Sequence, residues 1–193
     1  GTEASSVAES VYATETGESE ISLAAQAETS LLPGSPGYLA YEFLEYLSST
    51  IGTRVVGSVQ DVYARDYIAE QFAAMGLDVA RQDFSYTRSG TTVQTQNIVA
   101  TKPGASPKVL IVGAHFDSVS AGKGTDDNAS GVAVMLETAK NVAQLPTPYT
   151  VKFVAFGAEE QGLRGSNYYV SQMSDEDKKN TVAMINLDSL AVG

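Results

Sequence analysis

From position 108 onward, short and continuously apolar runs alternate with segments of helical spacing. KVLIVGAH, YTVKFVAFGA and TVAMINLD are separated by stretches over 129–142 and near 163–173. Runs that are apolar at every position suit strands buried on both faces, and helices between them predict a mostly parallel sheet covered on both sides. Upstream, Leu39, Phe43 and Leu47 recur at helical spacing after the breaker cluster LLPGSPG and predict a short helix. A second helix is expected from near Ser58 through Val62, Tyr67, Ile68, Phe72 and Met75, stopping at Gly76, a residue suited to the left-handed turn that follows a helix. Segments 77–87 and 91–101 alternate in polarity around Arg88, Ser89 and Gly90 and predict an antiparallel hairpin. The predicted class is α/β: a three-layer α/β/α arrangement with a mostly parallel central sheet plus that hairpin.

The length, 193 residues, suits one domain or part of a larger one. Residues 1–34 read as an acidic, low-complexity tail or processed segment, and 35–193 as the folded part. The tail holds six Glu and no Lys, Arg or Asp, and its Ala, Ser and Thr background buries little apolar surface. The formal charge of -11 repels phosphate backbones and anionic membranes, so nucleic acid and membrane are excluded as expected partners. There is no cysteine and only one histidine, His115. Any transition metal must therefore be held by that imidazole and by carboxylates.

Chemistry-bearing residues gather where the predicted strands end, which is where parallel sheets place functional groups. GAHFDS brings His115 and Asp117: zinc uses an imidazole nitrogen, and the other ring nitrogen needs an acceptor that fixes its tautomer. A lone histidine at a strand end is also a common structural residue. GTDDNASG places Asp126 and Asp127 at a helix amino terminus, where the dipole favours negative charge; capping explains one carboxylate but not two beside Asn128. Glu159 and Glu160 follow an apolar strand, and an extended backbone would send one carboxylate to a metal and the other to a reacting water, although acidic pairs at loop starts are often only solvated. Asp188, in INLDSL, is expected to end the last strand, where a buried carboxylate without a cation or hydrogen-bond partner would be costly.

Taken in order, GAHFDS, GTDDNASG, FGAEEQGLRGS and INLDS closely resemble the aminopeptidase Y family of bacterial leucyl aminopeptidases, with a match over about residues 40 to 193. The resemblance implies a hydrolase: a secreted, extracellular zinc metallopeptidase that removes the amino-terminal residue of peptides. It implies two Zn ions, with His115 on one and Glu160 on the other, Asp127 bridging both and Asp188 a terminal ligand. Glu159 becomes the general base and acid, and Asp117 the residue that orients His115. The peptide from Asp127 to Asn128 is expected to be cis. The peptide substrate presents a free amino terminus to the acid-rich site.

Members of that family supply a further histidine ligand and much of the substrate pocket beyond the INLDS motif. The chain is therefore expected to be the amino-terminal part of a zinc-peptidase domain, inactive in isolation and completed by a carboxyl-terminal fragment of the same enzyme. Two other readings stay open at this point: a noncatalytic scaffold or assembly subunit that retains the fold, and a related zinc acyltransferase or carboxypeptidase-like enzyme.

Overall fold

The computed structural model describes residues 32–191, so the acidic segment 1–34 lies outside the described residues except at its last positions. Residues up to Tyr38 and residues from Leu39 onward form separate units. In the first, Ser35 closes a turn by donating from N and Oγ to Leu32 O. All strands belong to the second.

The helix expected from Leu39, Phe43 and Leu47 forms as α1 (Tyr38–Glu45) and continues as a π-helical turn, Tyr46–Ile51. Phe43 and Leu47 are its buried apolar residues, as their spacing requires. The second helix, α2 (Val59–Ala74), starts after Ser58, whose hydroxyl accepts from Asp61 N at 3.1 Å. Such a cap contributes about 1 kcal/mol. Gly76 follows the helix at φ +79°, a left-handed conformation that glycine adopts without strain.

Strands β1 (Asp78–Arg88) and β2 (Thr91–Lys102) make the expected hairpin. Next come β3 (Ser106–His115), α3 (Gly131–Val142), β4 (Tyr149–Phe156), α4 (Arg164–Gln172), α5 (Asp175–Asn180) and β5 (Thr181–Asn186). The five strands form one sheet in the order β1-β2-β4-β3-β5. β4, β3 and β5 are parallel, whereas β2 joins β4 antiparallel, so the hairpin is part of the same sheet. The expected parallel strands and antiparallel hairpin are thus both present, with the hairpin joined to the parallel strands. The reason lies in β2 itself, which has apolar residues on both faces: Ile98 and Ala100 on one, Val99 on the other.

Two cores make the three layers. On one face Ile98, Val112, Ala114 and Phe153 pack with Ile68 and Phe72 of α2 and Val132 and Leu136 of α3. On the other, Val109, Ile111, Val154 and Phe156 pack with Tyr169 of α4. Full burial of each large apolar side chain stabilises the fold by roughly 1.5 to 3 kcal/mol. Helix α5, which has no buried residue, has no apolar periodicity to announce it; it is held by a capping box between Ser174 and Asp177. At the sheet edge, Val182, Met184 and Ile185 of β5 are each 47% exposed.

Strand ends set the site. β3 runs to His115, beyond the Val112 or Gly113 end expected from sequence, because His115 still pairs with Phe156 of β4. β5 stops at Asn186, so Asp188 lies beyond the strand rather than ending it.

Candidate metal centre

Three parallel strands stop at nearly the same level: Gly113 pairs with Asn186 on one side of β3, and His115 with Phe156 on the other. Their carboxyl ends therefore deliver His115, the Glu159–Glu160 pair and Asp188 to one place. Asp127 arrives from the turn Thr125–Ser130 ahead of α3, where it and Asn128 have non-helical backbone and the bond between them is cis, as the resemblance implies.

His115 is buried and central. Its Nε2 stands 2.9 Å from Asp127 Oδ1, 3.6 Å from Asp188 Oδ1 and 3.9 Å from Glu159 Oε2. One ligand atom each from His115, Asp127 and Asp188 can be chosen so that all lie within 4.8 Å of one another, a spacing that fits one metal ion. Nδ1 faces the main-chain carbonyl of Asp117 at 3.1 Å, and the Asp117 carboxylate is farther away at 3.7 Å. The orienting acceptor is thus the backbone of Asp117 more than its side chain. That carboxylate, fully buried, instead accepts Glu159 N at 2.9 Å and Glu160 N at 3.1 Å, one on each oxygen.

The structure corrects two arguments drawn from sequence. Glu159 and Glu160 do not leave an extended backbone; they begin a tight turn in which Glu159 O accepts from Gly162 N and Leu163 N. Asp188 is not buried, its side chain being 41% exposed, so the cost of burial does not single it out. Its proximity to His115 and Asp127 does. Glu160 lies outside that trio, yet its Oε1 is buried with no hydrogen-bond partner among the described residues. An orphaned carboxylate oxygen of this kind fits a cation.

Charge in the site is one-sided. Burial would lower the His115 pKa, but Asp117, Glu159 and Asp188 outweigh it and raise the value to about 9. The carboxyls of Glu159 and Glu160 are both pushed up, first by burial and then by neighbouring acids; for Glu160 the leading acid is Asp127. Crowded acids around one imidazole repel one another unless a cation joins them. The donor set therefore fits zinc, with His115, Asp127 and Asp188 able to hold one ion.

Two residues that the sequence did not mark support this site. Asn128, fully buried, donates from Nδ2 to Leu187 O at 2.9 Å and accepts Gly131 N and Ser189 N on Oδ1, which ties the Asp127 turn to the segment on both sides of Asp188. Arg54, also fully buried, reaches the loops around His115 and Asp127. Burial pulls its pKa down to about 10 against the opposing effects of Asp117 and Asp127. Both residues bond chiefly to main-chain atoms far away in sequence, and no spacing rule reveals such contacts.

Residues 97–193, the half of the chain that holds every one of these acids and His115, match the model of peptidase family M28. The chain belongs to that family. Over 181 residues it is 33% identical to the alkaline phosphatase isozyme conversion protein of Escherichia coli strain K12, covering 82% of this chain and 52% of the relative. It is 41% identical over 101 residues to aminopeptidase YwaD of Bacillus subtilis, covering 51% of this chain and 22% of that protein. The chain thus spans about half of the first relative and much less of the second. Among solved structures, a zinc aminopeptidase from Bacillus subtilis superimposes with a TM-score of 0.75 over 80% of this chain and 69% of that one, at 20% identity, which is a likeness of fold. Among the described residues, no helix is long and apolar enough to cross a membrane.

Proposed function

We propose that this M28 chain carries most of the active site of a dizinc aminopeptidase, which removes one amino-terminal residue at a time from peptides. The observation that carries the reading is the convergence of His115, Asp127 and Asp188 within ligand reach, with Glu159 facing the same imidazole. One ion is assigned to those three ligands. A second is assigned between Asp127 and Glu160, supported by the orphaned Glu160 Oε1 and by the charge coupling of those two acids. Asp127, the more exposed of the ligands at 57%, would then serve both ions.

Zinc held there by His115, Asp127 and Asp188 would supply Lewis-acid polarisation of the scissile carbonyl and would make a water acidic enough to react near neutral pH. Glu159 accepts the proton of that water and returns it to the leaving amine; its raised pKa suits a group that must do both. Asp117 fixes the start of the turn that carries Glu159 through its two main-chain bonds. The acidic character of the site favours the cationic amino terminus of a peptide over a blocked one.

With a single histidine in the sequence, the second ion gains only Asp127 and Glu160 from this chain. We assign its missing imidazole to residues outside this sequence, in the remaining part of the same enzyme, and secretion belongs to the same reading. Native and denaturing mass measurements on active material test that part: a lone, folded, active 20.3 kDa species would contradict it.

The main test is zinc analysis and an aminoacyl anilide assay on the full-length enzyme and its Glu159→Gln variant. Zinc content should be retained while turnover drops about 10²- to 10⁴-fold. Unchanged turnover would show that Glu159 is not the base, and a folded enzyme without zinc would remove the reading altogether.

A further inference from the structure

Arg54 is a fully buried cation whose recorded partners, among the described residues, are main-chain atoms and one hydroxyl. Nε donates to Phe116 O at 2.7 Å, Nη2 to Gly124 O at 2.7 Å, and Nη1 is shared among Leu47 O, Gly52 O and Lys123 O. The main chain adds a reciprocal pair, Arg54 N to Ser118 Oγ at 3.0 Å and Ser118 N to Arg54 O at 3.2 Å. Thr53 Oγ1 reaches Gly122 O at 2.6 Å. Residues 53–54 thus grip both ends of the loop 116–124. That loop begins next to His115 and ends at the residue preceding the turn that carries Asp127.

A guanidinium is suited to this place because its fixed fork of donors can bind several carbonyls at once, which an ammonium cannot do at the same positions. Asp117 of the loop 116–124 and Asp127 of the turn repel each other, so some element must hold the ligand atoms at bonding distance. Gly124 leaves no slack: a Cβ there would meet Ser118 Cβ at 2.5 Å and Arg54 Nη2 at 2.9 Å.

We infer that Arg54 is a positioning residue for the metal ligands: it fixes the loop 116–124, and through it the turn that carries Asp127, against the strand end at His115 before any metal arrives. The inference rests on the metal-centre reading above. It differs from ordinary core packing in what it predicts: losing the fork loosens the loop 116–124 and the Asp127 turn more than it loosens the sheet.

The test compares the full-length protein with its Arg54→Lys variant, which keeps the charge and loses the fork. Two readouts are taken: cobalt affinity with the visible spectrum of the cobalt form, and hydrogen exchange of the metal-free protein. Cobalt should bind about 10- to 100-fold more weakly with an altered spectrum, and exchange should quicken in 116–130 but not in β3 or β4. Unchanged cobalt affinity and spectrum with only a lower melting temperature would overturn the proposal, as would exchange that quickens evenly through the fold. Should Arg54→Lys fail to fold, Ser118→Ala removes only the hydroxyl that receives Arg54 N; it must quicken exchange in the same segment, and silence there also overturns the proposal. If the unaltered protein takes up no cobalt, the metal reading fails, while the exchange comparison still decides whether Arg54 positions these loops.

Discussion

At Asp117, one side chain serves two main-chain donors, and each of its oxygens has its own partner. Asp117→Asn keeps the shape but offers one acceptor and turns an amide group toward an N–H. An unsatisfied buried amide costs about 1 to 3 kcal/mol. The variant should therefore lower the thermal midpoint and also weaken zinc, because the Glu159–Glu160 turn loses its anchor; calorimetric titration with zinc alongside thermal unfolding checks both. If zinc affinity stays the same while the midpoint falls, Asp117 serves the fold alone. Asn128 offers a parallel case: Asn128→Ala removes the link between the Asp127 turn and the Leu187–Ser189 segment, and weaker zinc binding is expected from the same titration.

At the level of the element, the amino terminus of α2 holds a buried acid with an uneven set of partners. Asp61 Oδ2 accepts Gly57 N at 3.1 Å, while Oδ1 has no hydrogen-bond partner among the described residues. Burial, aided by Asp117, raises its pKa from 3.8 to about 6, against the lowering effects of Gly57 and Arg65. The folded state then holds the Asp61 proton more tightly than the unfolded chain does. Its contribution to stability is full below about pH 4 and is lost as pH rises through about 6, a change of roughly 3 kcal/mol. Asp61→Asn should remove this step, so the variant gains on the unaltered protein between pH 4 and pH 7 in denaturant titrations. A constant difference across that range would show that Asp61 ionises as freely in the fold as outside it.

The elements also show what a sequence exposes and what it hides. Continuous apolar runs mark β3 and β4 because strands buried on both faces need them, and Ser58 and Gly76 mark the two ends of α2. Helix α5 escapes notice since it packs no side chain into the core. In the proposed site, His115, Asp127, Glu159 and Asp188 stand out in the sequence because the ordered motifs around them carry the family resemblance, and the structure brings them together. Arg54 and Asn128 cannot, because a carbonyl acceptor is present at every residue and leaves no pattern. The turn at Glu159 and Glu160 is hidden for a related reason: Ala158 adopts φ +57°, and nothing in an alanine announces that.

Across the whole molecule, a metal held by these side chains would be part of the folded state. A ligand that binds only the native form stabilises it, by about 2.7 kcal/mol when its free concentration is a hundredfold above its Kd. Chelation should lower the thermal midpoint of the full-length enzyme, and zinc should restore it with the turnover. The acidic excess, 23 Asp and Glu against 12 Lys and Arg, should also make cation uptake weaken as salt is raised.

The central claim concerns place: one cation between His115 Nε2, Asp127 and Asp188. Anomalous diffraction at the zinc edge from crystals of the full-length enzyme reads that place directly. A strong peak bonded to all three side chains is expected, with a second one beside Asp127 and Glu160. Zinc bound elsewhere, with these side chains turned to solvent and bonded to no ion, would contradict it.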